Sequence, residues 1–286
     1  MKLWMNGKLV DDAQGVVSVF DHGLLYGDGV FEDIRSYHGR IFRCPAHLDR
    51  LFASAEAIRL KIPMTKTQVE QAIYETLRAD GAKDTYVRLV VTRGPGNLGL
   101  NPYQCQHPTV FIIVDQIELY PKEMYETGMA VIIAKTRRTD ASMVPPSVKS
   151  LNYLNNILAR MEAVDAGVPE AMMLNARGDL AEATGDNIFI VKDATVITPP
   201  PEAGILVGVT RGVVIELCAK LSLSLREQAV SVAELYTADE CFLTGTAAEV
   251  IPVTRVDHRE IGTGKPGAVT LRLVKAFREL IRAEAR

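Results

Sequence analysis

Five features of this 286-residue sequence, the last spread over three places, hold residue types that could do chemistry. Lys149, in VPPSVKSLNYLNN (144–156), stands between a Pro-Pro segment and an apolar-striped helical pattern. A lysine among apolar neighbours loses hydration, its pKa falls, and its free amine becomes a nucleophile able to form a Schiff base. A cation is also disfavoured at a helix N-terminus, where the dipole is positive. Glu182, in LAEAT, has Ala181 and Ala183 beside it and shares a strand face with Leu180 and Thr184. Small flanking residues would let a flat ring approach that carboxylate. GVTRG at 208–212 offers backbone N–H groups, a hydroxyl and a positive dipole end, which together make a phosphate seat. In LTGTAAEV (243–250), the turn Thr246-Ala247-Ala248 can aim N–H groups at an anion. Finally, DHGLLYGDGVFE (21–32), Arg50 and YVR (86–88) supply tyrosine and arginine, a pair suited to carboxylate or phosphate.

Each stretch also has an ordinary structural reading when taken alone. Lys149 could be solvated, Glu182 a surface strand carboxylate, Thr210 a plain cap, 246–248 a tight turn, and Arg50 a surface ion pair. Together they supply an amine, a carboxylate for a ring nitrogen and a seat for phosphate. Those are the protein groups that a pyridoxal 5′-phosphate site requires.

The elements that must position these residues follow from the pattern around them. Asn6-Gly7 predicts a hairpin between MKLWM and KLV, and His38-Gly39 a second between VFEDIRSY and RIFR. Pro45 opens a helix carrying Leu48, Leu51, Phe52, Ala55 and Ile58. Thr67 with Glu70 reads as a capping box for another helix that ends near Gly81. YVRLVVTR and TVFIIVDQI are β-branched strands. The polar, aperiodic ELYPKEMYETG (118–128) reads as an interdomain connection.

Beyond it come the strand MAVIIAK and, after Lys149, the stripe Leu151, Leu154, Ile157, Leu158 and Met161, closed by Gly167 and Pro169. A meander of AMMLN, LAEAT, IFIVK and TVIT follows, then a helix entered at Gly208 and a capping box of Ser231 with Glu234. Strands CFLTG and EVIPVTRV and a long amphipathic helix complete the chain. The expected organisation is α+β: residues 1–119 a small domain, 120–129 an interdomain loop, and 130–286 a larger, barrel-like domain.

Bulk properties exclude several classes. Apolar residues make up 48% and charged residues 23%, with a net charge of −3. No basic footprint for nucleic acid or an anionic membrane exists, and no apolar run reaches the ~20 residues a membrane helix needs. The N-terminus has no apolar signal region. The four cysteines show no CxxC pair and the five histidines no ligand spacing, so no metal site is expected and a reducing cytoplasm is.

At this level the chain resembles the fold-type IV (class IV) pyridoxal-phosphate aminotransferases, and among them the branched-chain amino acid aminotransferases. The likeness runs through YGDGVFEDIR, HLDRL, VTRGPGNLGLNP, VKSLNYLNNILA, EATGDNIF, GVTR, TADECFLTGTAAEVIPV and GKPG, in that order. It implies a two-domain fold, with a small α/β N-terminal domain and a larger barrel-like C-terminal one that binds the cofactor. It implies Lys149 as the Schiff-base lysine and Glu182 as the partner of the pyridine nitrogen. Arg50, Val209, Thr210 and Thr246 would hold the phosphate, and Tyr153 would approach the phenolic oxygen.

Tyr86 with Thr246 and Ala247 would receive the substrate α-carboxylate, Arg88 and Tyr26 a second carboxylate, and Phe31 an aliphatic side chain. The implied reaction is ping-pong amino transfer between L-leucine, L-isoleucine or L-valine and 2-oxoglutarate, in a homodimer or higher homo-oligomer. D-amino acid aminotransferases and aminodeoxychorismate lyases share the fold. The former carry an arginine and a histidine soon after VTRG and typically a tyrosine at position 31. Here GPGNLGLNP has no basic residue and position 31 is Phe, which favours the L-specific reading.

Overall fold

A computed structural model of the chain describes residues 2–116 and 120–284. The expected end of the small domain, residue 119, lies outside the described residues. Two compact units are formed. One holds the chain up to residue 116 together with Val148–Asn152, the other 120–147 with 153–283.

In the first unit, β1 (Lys2–Met5) and β2 (Lys8–Asp11) form the hairpin that Asn6-Gly7 predicts. Both turn residues have positive φ, 47° and 100°, which suits Asn and Gly. A short helix with no signal in the pattern, α1 (His22–Tyr26), precedes β3 (Gly29–Tyr37) and β4 (Arg40–Ile41), which meet at His38-Gly39. Helix α2 (Cys44–Ala57) has Pro45 in its first turn. Helix α3 (Lys66–Asp80) ends on left-handed Gly81, but its capping box is Thr65 with Gln68 rather than Thr67 with Glu70. Two such pairs overlap in this stretch. The chain turns at the earlier one, where Thr65 is still extended and its hydroxyl accepts from Gln68 N at 3.2 Å. Strands β5 (Thr85–Thr92) and β6 (Thr109–Asp115) complete an antiparallel sheet in the order β2-β1-β6-β5-β3-β4. Leu48, Leu51, Val69 and Ile73 from the helices close on Val87, Leu89 and Ile112 from the sheet. Each such buried aliphatic contributes roughly 1.5–3 kcal/mol.

The second unit begins with α4 (Lys122–Thr127), a helix inside the stretch read as a loop. It continues with β7 (Met129–Ile133), α5 (Leu154–Asp165), β8 (Glu170–Leu174), β9 (Leu180–Ala183), β10 (Asn187–Lys192) and β11 (Thr195–Thr198). Then come α6 (Val209–Lys220), β12 (Ser224–Glu227), α7 (Val232–Tyr236), β13 (Glu240–Gly245), β14 (Glu249–Val256), β15 (Arg259–Glu260) and α8 (Ala268–Glu284). The sheet order is β12-β11-β10-β13-β14-β7-β8-β9, with β15 on β14, and the sheet curls into a half-barrel. The pairs β11/β12, β14/β7 and β7/β8 are parallel, so the sheet is mixed and the meander only part of it.

One expectation about the segment after Lys149 is corrected. The helix begins at Leu154, and Lys149 lies five residues before it, outside any helix. The apolar stripe does not face the core of its own unit. Leu154, Ile157, Leu158, Met161 and Val164 are 46–67% exposed, whereas Asn156, Ala159 and Ala163 are buried. Small residues win the inner face because they let the helix lie close against Ala134, Ala171 and Met173.

Candidate active site

Lys149 owes its place to backbone pairing with β3. Phe31 N donates to Lys149 O at 3.0 Å, Leu151 N to Gly29 O at 3.0 Å, and Val30 bridges Ser150. Lys149 N donates to Ser54 Oγ at 3.1 Å, and Val148 packs on the core of the first unit. The lysine is thus locked to the strand that carries Phe31. Its side chain is 8% exposed and its Nζ lies 4.2 Å from the centroid of the Phe31 ring. The sequence around Lys149 holds little charge, but folding brings the Asp33 carboxylate to 3.3 Å from Nζ.

Alternation along β3 sorts the remaining groups. Phe31 and Asp33 share one face, while Glu32 shares the other with Val30 and Ile34, inside the core. Glu32 is fully buried and accepts from Arg50 Nε at 2.7 Å and Arg50 Nη2 at 2.8 Å, with His47 Nδ1 at 2.7 Å. Burial alone would raise its pKa, but the Arg50 guanidinium, with His47 behind it, outweighs burial and holds the carboxyl at about 2. Burial also keeps the His47 imidazole below its ordinary range. Arg50 is therefore a fixed cation with one side spoken for.

On β5, Arg88 lies directly across from Asp33, forms an ion pair with it, and places its guanidinium 4.8 Å from the Phe31 ring centre. The Tyr86 hydroxyl hydrogen-bonds within this pair, and burial first, then Asp33, push its pKa well up, so it is a neutral phenol. Lys149, Phe31, Tyr86 and Arg88 thus come together. Tyr26 is engaged separately, its hydroxyl donating to Leu98 O at 2.6 Å.

In the second unit, Glu182 is 5% exposed and no surface carboxylate. It accepts from Arg138 Nε at 2.7 Å, Leu206 N at 2.8 Å and Asn187 Nδ2 at 3.4 Å. Arg138 is itself held by Asn155 Oδ1 and Asn156 Oδ1. Asn187 also donates to Leu206 O at 2.9 Å, so the carboxylate stands in a braced frame.

The N-cap of α6, Gly208, offers no side-chain cap to the first N–H groups of the helix, on the half-buried Val209 and the buried Thr210, and N–H groups at such an end are suited to an anion. A Cβ at Gly208 would lie 2.1 Å from Asn187 Oδ1, so the hydrogen-bonded Asn187 amide would have to shift. Thr246 and Ala247 form the turn between β13 and β14 and are half-buried. Tyr153 is the half-buried residue at the start of α5. The first unit thus holds an amine and a fixed arginine, and the second a braced carboxylate and a helix start without a side-chain cap; these are the types of donor that an aldehyde-bearing pyridine phosphate requires, so the residue types fit it.

Sequence reasoning missed Arg138, Asp33, Glu32, His47 and Asn187. Glu32 did leave a signal, an acid at a core-facing position of an alternating strand. Arg138 left none, since its partner is 44 residues away.

Comparison with known proteins points the same way. Residues 29–256 match the family model for amino-transferase class IV. The chain is 47% identical over 280 residues to a putative branched-chain-amino-acid aminotransferase of Methanocaldococcus jannaschii, covering 98% of this chain and 96% of that one. It superposes on the crystal structure of the Escherichia coli branched-chain amino acid aminotransferase with a TM-score of 0.95 at 34% identity, covering 98% of this chain and 94% of that chain. For the branched-chain amino acid aminotransferase from Thermobaculum terrenum in its PLP-bound holo-form, the TM-score is 0.90 at 31% identity, covering 99% and 94%.

Proposed function

Since the chain belongs to the class IV aminotransferases, we propose that it moves the amino group of branched-chain L-amino acids to 2-oxoglutarate with pyridoxal 5′-phosphate as its cofactor. The observation that carries this reading is Lys149, an amine almost out of solvent whose backbone is clamped to β3 and whose head lies over an aromatic ring.

When bound, pyridoxal 5′-phosphate supplies an aldehyde to join an amine and a protonated ring to take up electrons from the substrate Cα. In this reading Lys149 would hold the cofactor through its amine and is the group placed to serve as general base at the substrate Cα. Glu182, paired with Arg138, would face the ring nitrogen and hold a proton on it. Arg50, Thr246 and the N–H groups of Val209 and Thr210 would hold the phosphate, and Tyr153 would meet the phenolic oxygen.

Tyr86 donates to the substrate α-carboxylate together with the Thr246-Ala247 turn, and Arg88 and Tyr26 serve the second carboxylate of glutamate. Phe31 forms an apolar wall. Such a wall discriminates among aliphatic side chains by only about 1–3 kcal/mol per methylene, so leucine, isoleucine and valine all react. Two half-reactions on one site give ping-pong kinetics.

The reading includes a cytoplasmic homodimer or higher homo-oligomer. All four cysteines are free, three of them buried, as suits a reducing compartment. The exposed stripe of α5 is apolar surface of the kind a second copy would cover. The experiment is amino transfer from L-leucine to 2-oxoglutarate by the reconstituted, yellow protein, with D-alanine, D-glutamate and aminodeoxychorismate alongside. Turnover of L-leucine alone supports the reading. Turnover of a D-amino acid in preference, or release of pyruvate from aminodeoxychorismate, replaces it with another activity of the same fold.

A further inference from the structure

Asp33 has no part in the reaction as assigned so far, yet it lies among the residues that have. It shares the face of β3 with Phe31 and stands opposite Arg88 in the β3/β5 register. One carboxylate oxygen pairs with Arg88 Nε and the other lies 3.3 Å from Lys149 Nζ. The Tyr86 hydroxyl bonds within the same pair. Arg88 is thus pinned between a carboxylate and an aromatic face.

An arginine in this position would offer a substrate carboxylate a full charge and a fork of donors. With Asp33 in contact, part of that fork is taken and the charge is offset. A second carboxylate arriving at Arg88 would also meet a fixed negative charge of its own sign. Like-charge contact is a common way for a site to disfavour one class of ligand. An aliphatic side chain resting on Phe31 meets no such opposition.

We infer that Asp33 is a specificity-determining residue that acts through Arg88, weakening the hold on dicarboxylic substrates relative to aliphatic monocarboxylic ones. 2-Oxoglutarate remains a substrate, with a KM set by Asp33. The inference rests on the aminotransferase reading and deepens it. Asp33 is a positioning residue: it tunes Arg88 and transfers no proton.

The test compares holoenzymes of the wild type, Asp33→Asn and Asp33→Ser. KM and kcat are measured for 2-oxoglutarate and for 2-oxo-4-methylpentanoate as amino acceptors. Removing the charge is expected to lower KM for 2-oxoglutarate by about 10-fold, because a like charge beside the incoming carboxylate is gone, and to change KM for the aliphatic acid by no more than about 2-fold. Equal shifts for both acids would mean that Asp33 merely supports Lys149, and they overturn the inference.

A second arm needs no variant: inhibition of the wild-type holoenzyme by glutarate and by 4-methylpentanoate. The monocarboxylate is expected to bind at least about 10-fold more tightly, and tighter binding of glutarate overturns the inference even if both variants fail to fold. The half-reaction with L-leucine alone, followed by the cofactor's absorbance, separates the two readings. A wild type inert to L-leucine sinks the functional reading and this inference with it. A reactive wild type whose variants shift both acids equally sinks the role of Asp33 alone.

Discussion

Arg138 Nε lies 2.7 Å from Glu182 Oε1, and the two side chains are only 11% and 7% exposed. They are 44 residues apart in sequence, and the pairing determines what the carboxylate can do. An acid in an apolar site would protonate. A guanidinium and a backbone N–H both favour the charged form of a carboxylate, the form that can hold a proton on a neighbouring ring nitrogen.

Removing the arginine should therefore be worse than removing the pair. Arg138→Met strands a buried carboxylate and is expected to cost about 3–5 kcal/mol of stability. In the double variant with Glu182→Gln, much of that stability should return while amino transfer stays lost. Thermal unfolding beside single-turnover kinetics reads both quantities. Activity recovered in the double variant would remove Glu182 from the mechanism.

Acid should loosen the first unit through Glu32. Its carboxyl titrates at about 2 in the folded protein against an ordinary 4.5. The unfolded chain therefore binds the proton first. The ion pair stabilises fully above pH 4.5, and its contribution, on the order of 3 kcal/mol, drains away as pH falls toward 2. His47 acts in the same direction from below about pH 6.5, since its folded pKa is also depressed. Glu32→Gln should be less stable than the wild type at pH 7 and show a flatter decline from pH 4.5 to 2 in denaturant titrations. Parallel curves for the two proteins would contradict the assignment.

Two glycines of α6 should respond oppositely to alanine. At Gly208 the added methyl meets Asn187 Oδ1 at 2.1 Å, and Asn187 braces both Glu182 and Leu206. Overpacking there costs about 1–3 kcal/mol, and cofactor affinity, read by equilibrium dialysis, should fall. Gly212 has no atom within 4 Å of where its Cβ would be. Gly212→Ala is expected to raise stability by roughly 0.5–1 kcal/mol through helix propensity, with cofactor binding unchanged.

The α5 stripe offers a test of assembly. Ile157 and Met161 are 52% and 55% exposed one turn apart. Charged replacements, Ile157→Asp with Met161→Asp, should leave the monomer folded, because neither side chain is buried in it. They should shift the sedimentation coefficient from oligomer to monomer at micromolar concentration. An unchanged coefficient would remove this face from the interface.

Much of the architecture was legible in the amino-acid order because its signals are local. Asn-Gly and His-Gly turns need positive φ, Gly81 ends a helix for the same reason, and Ser231 with Glu234 caps α7 as its spacing requires. Lys149, Glu182 and Gly208-Val209-Thr210 could be singled out because residue type and spacing restrict what each can do. The chain order alone also showed the mixed α+β character, since strand and helix periodicities differ. Where two local signals overlapped, as at Thr65 and Thr67, only the observed start of α3 chose between them.

Tertiary structure decided what touches what. Periodicity reports that Leu154, Ile157, Leu158 and Met161 share a helix face, but not whether that face looks inward or out. The segment holding Lys149 carries no strand signature, and it pairs with β3, through a single bridge and two backbone hydrogen bonds, only because β3 offers it partners in space. The ion pairs of Arg138 with Glu182 and of Asp33 with Lys149 and Arg88 lie beyond any sequence window for one reason. Charge interactions depend on distance in space, and folding sets that distance between residues that the chain itself keeps far apart.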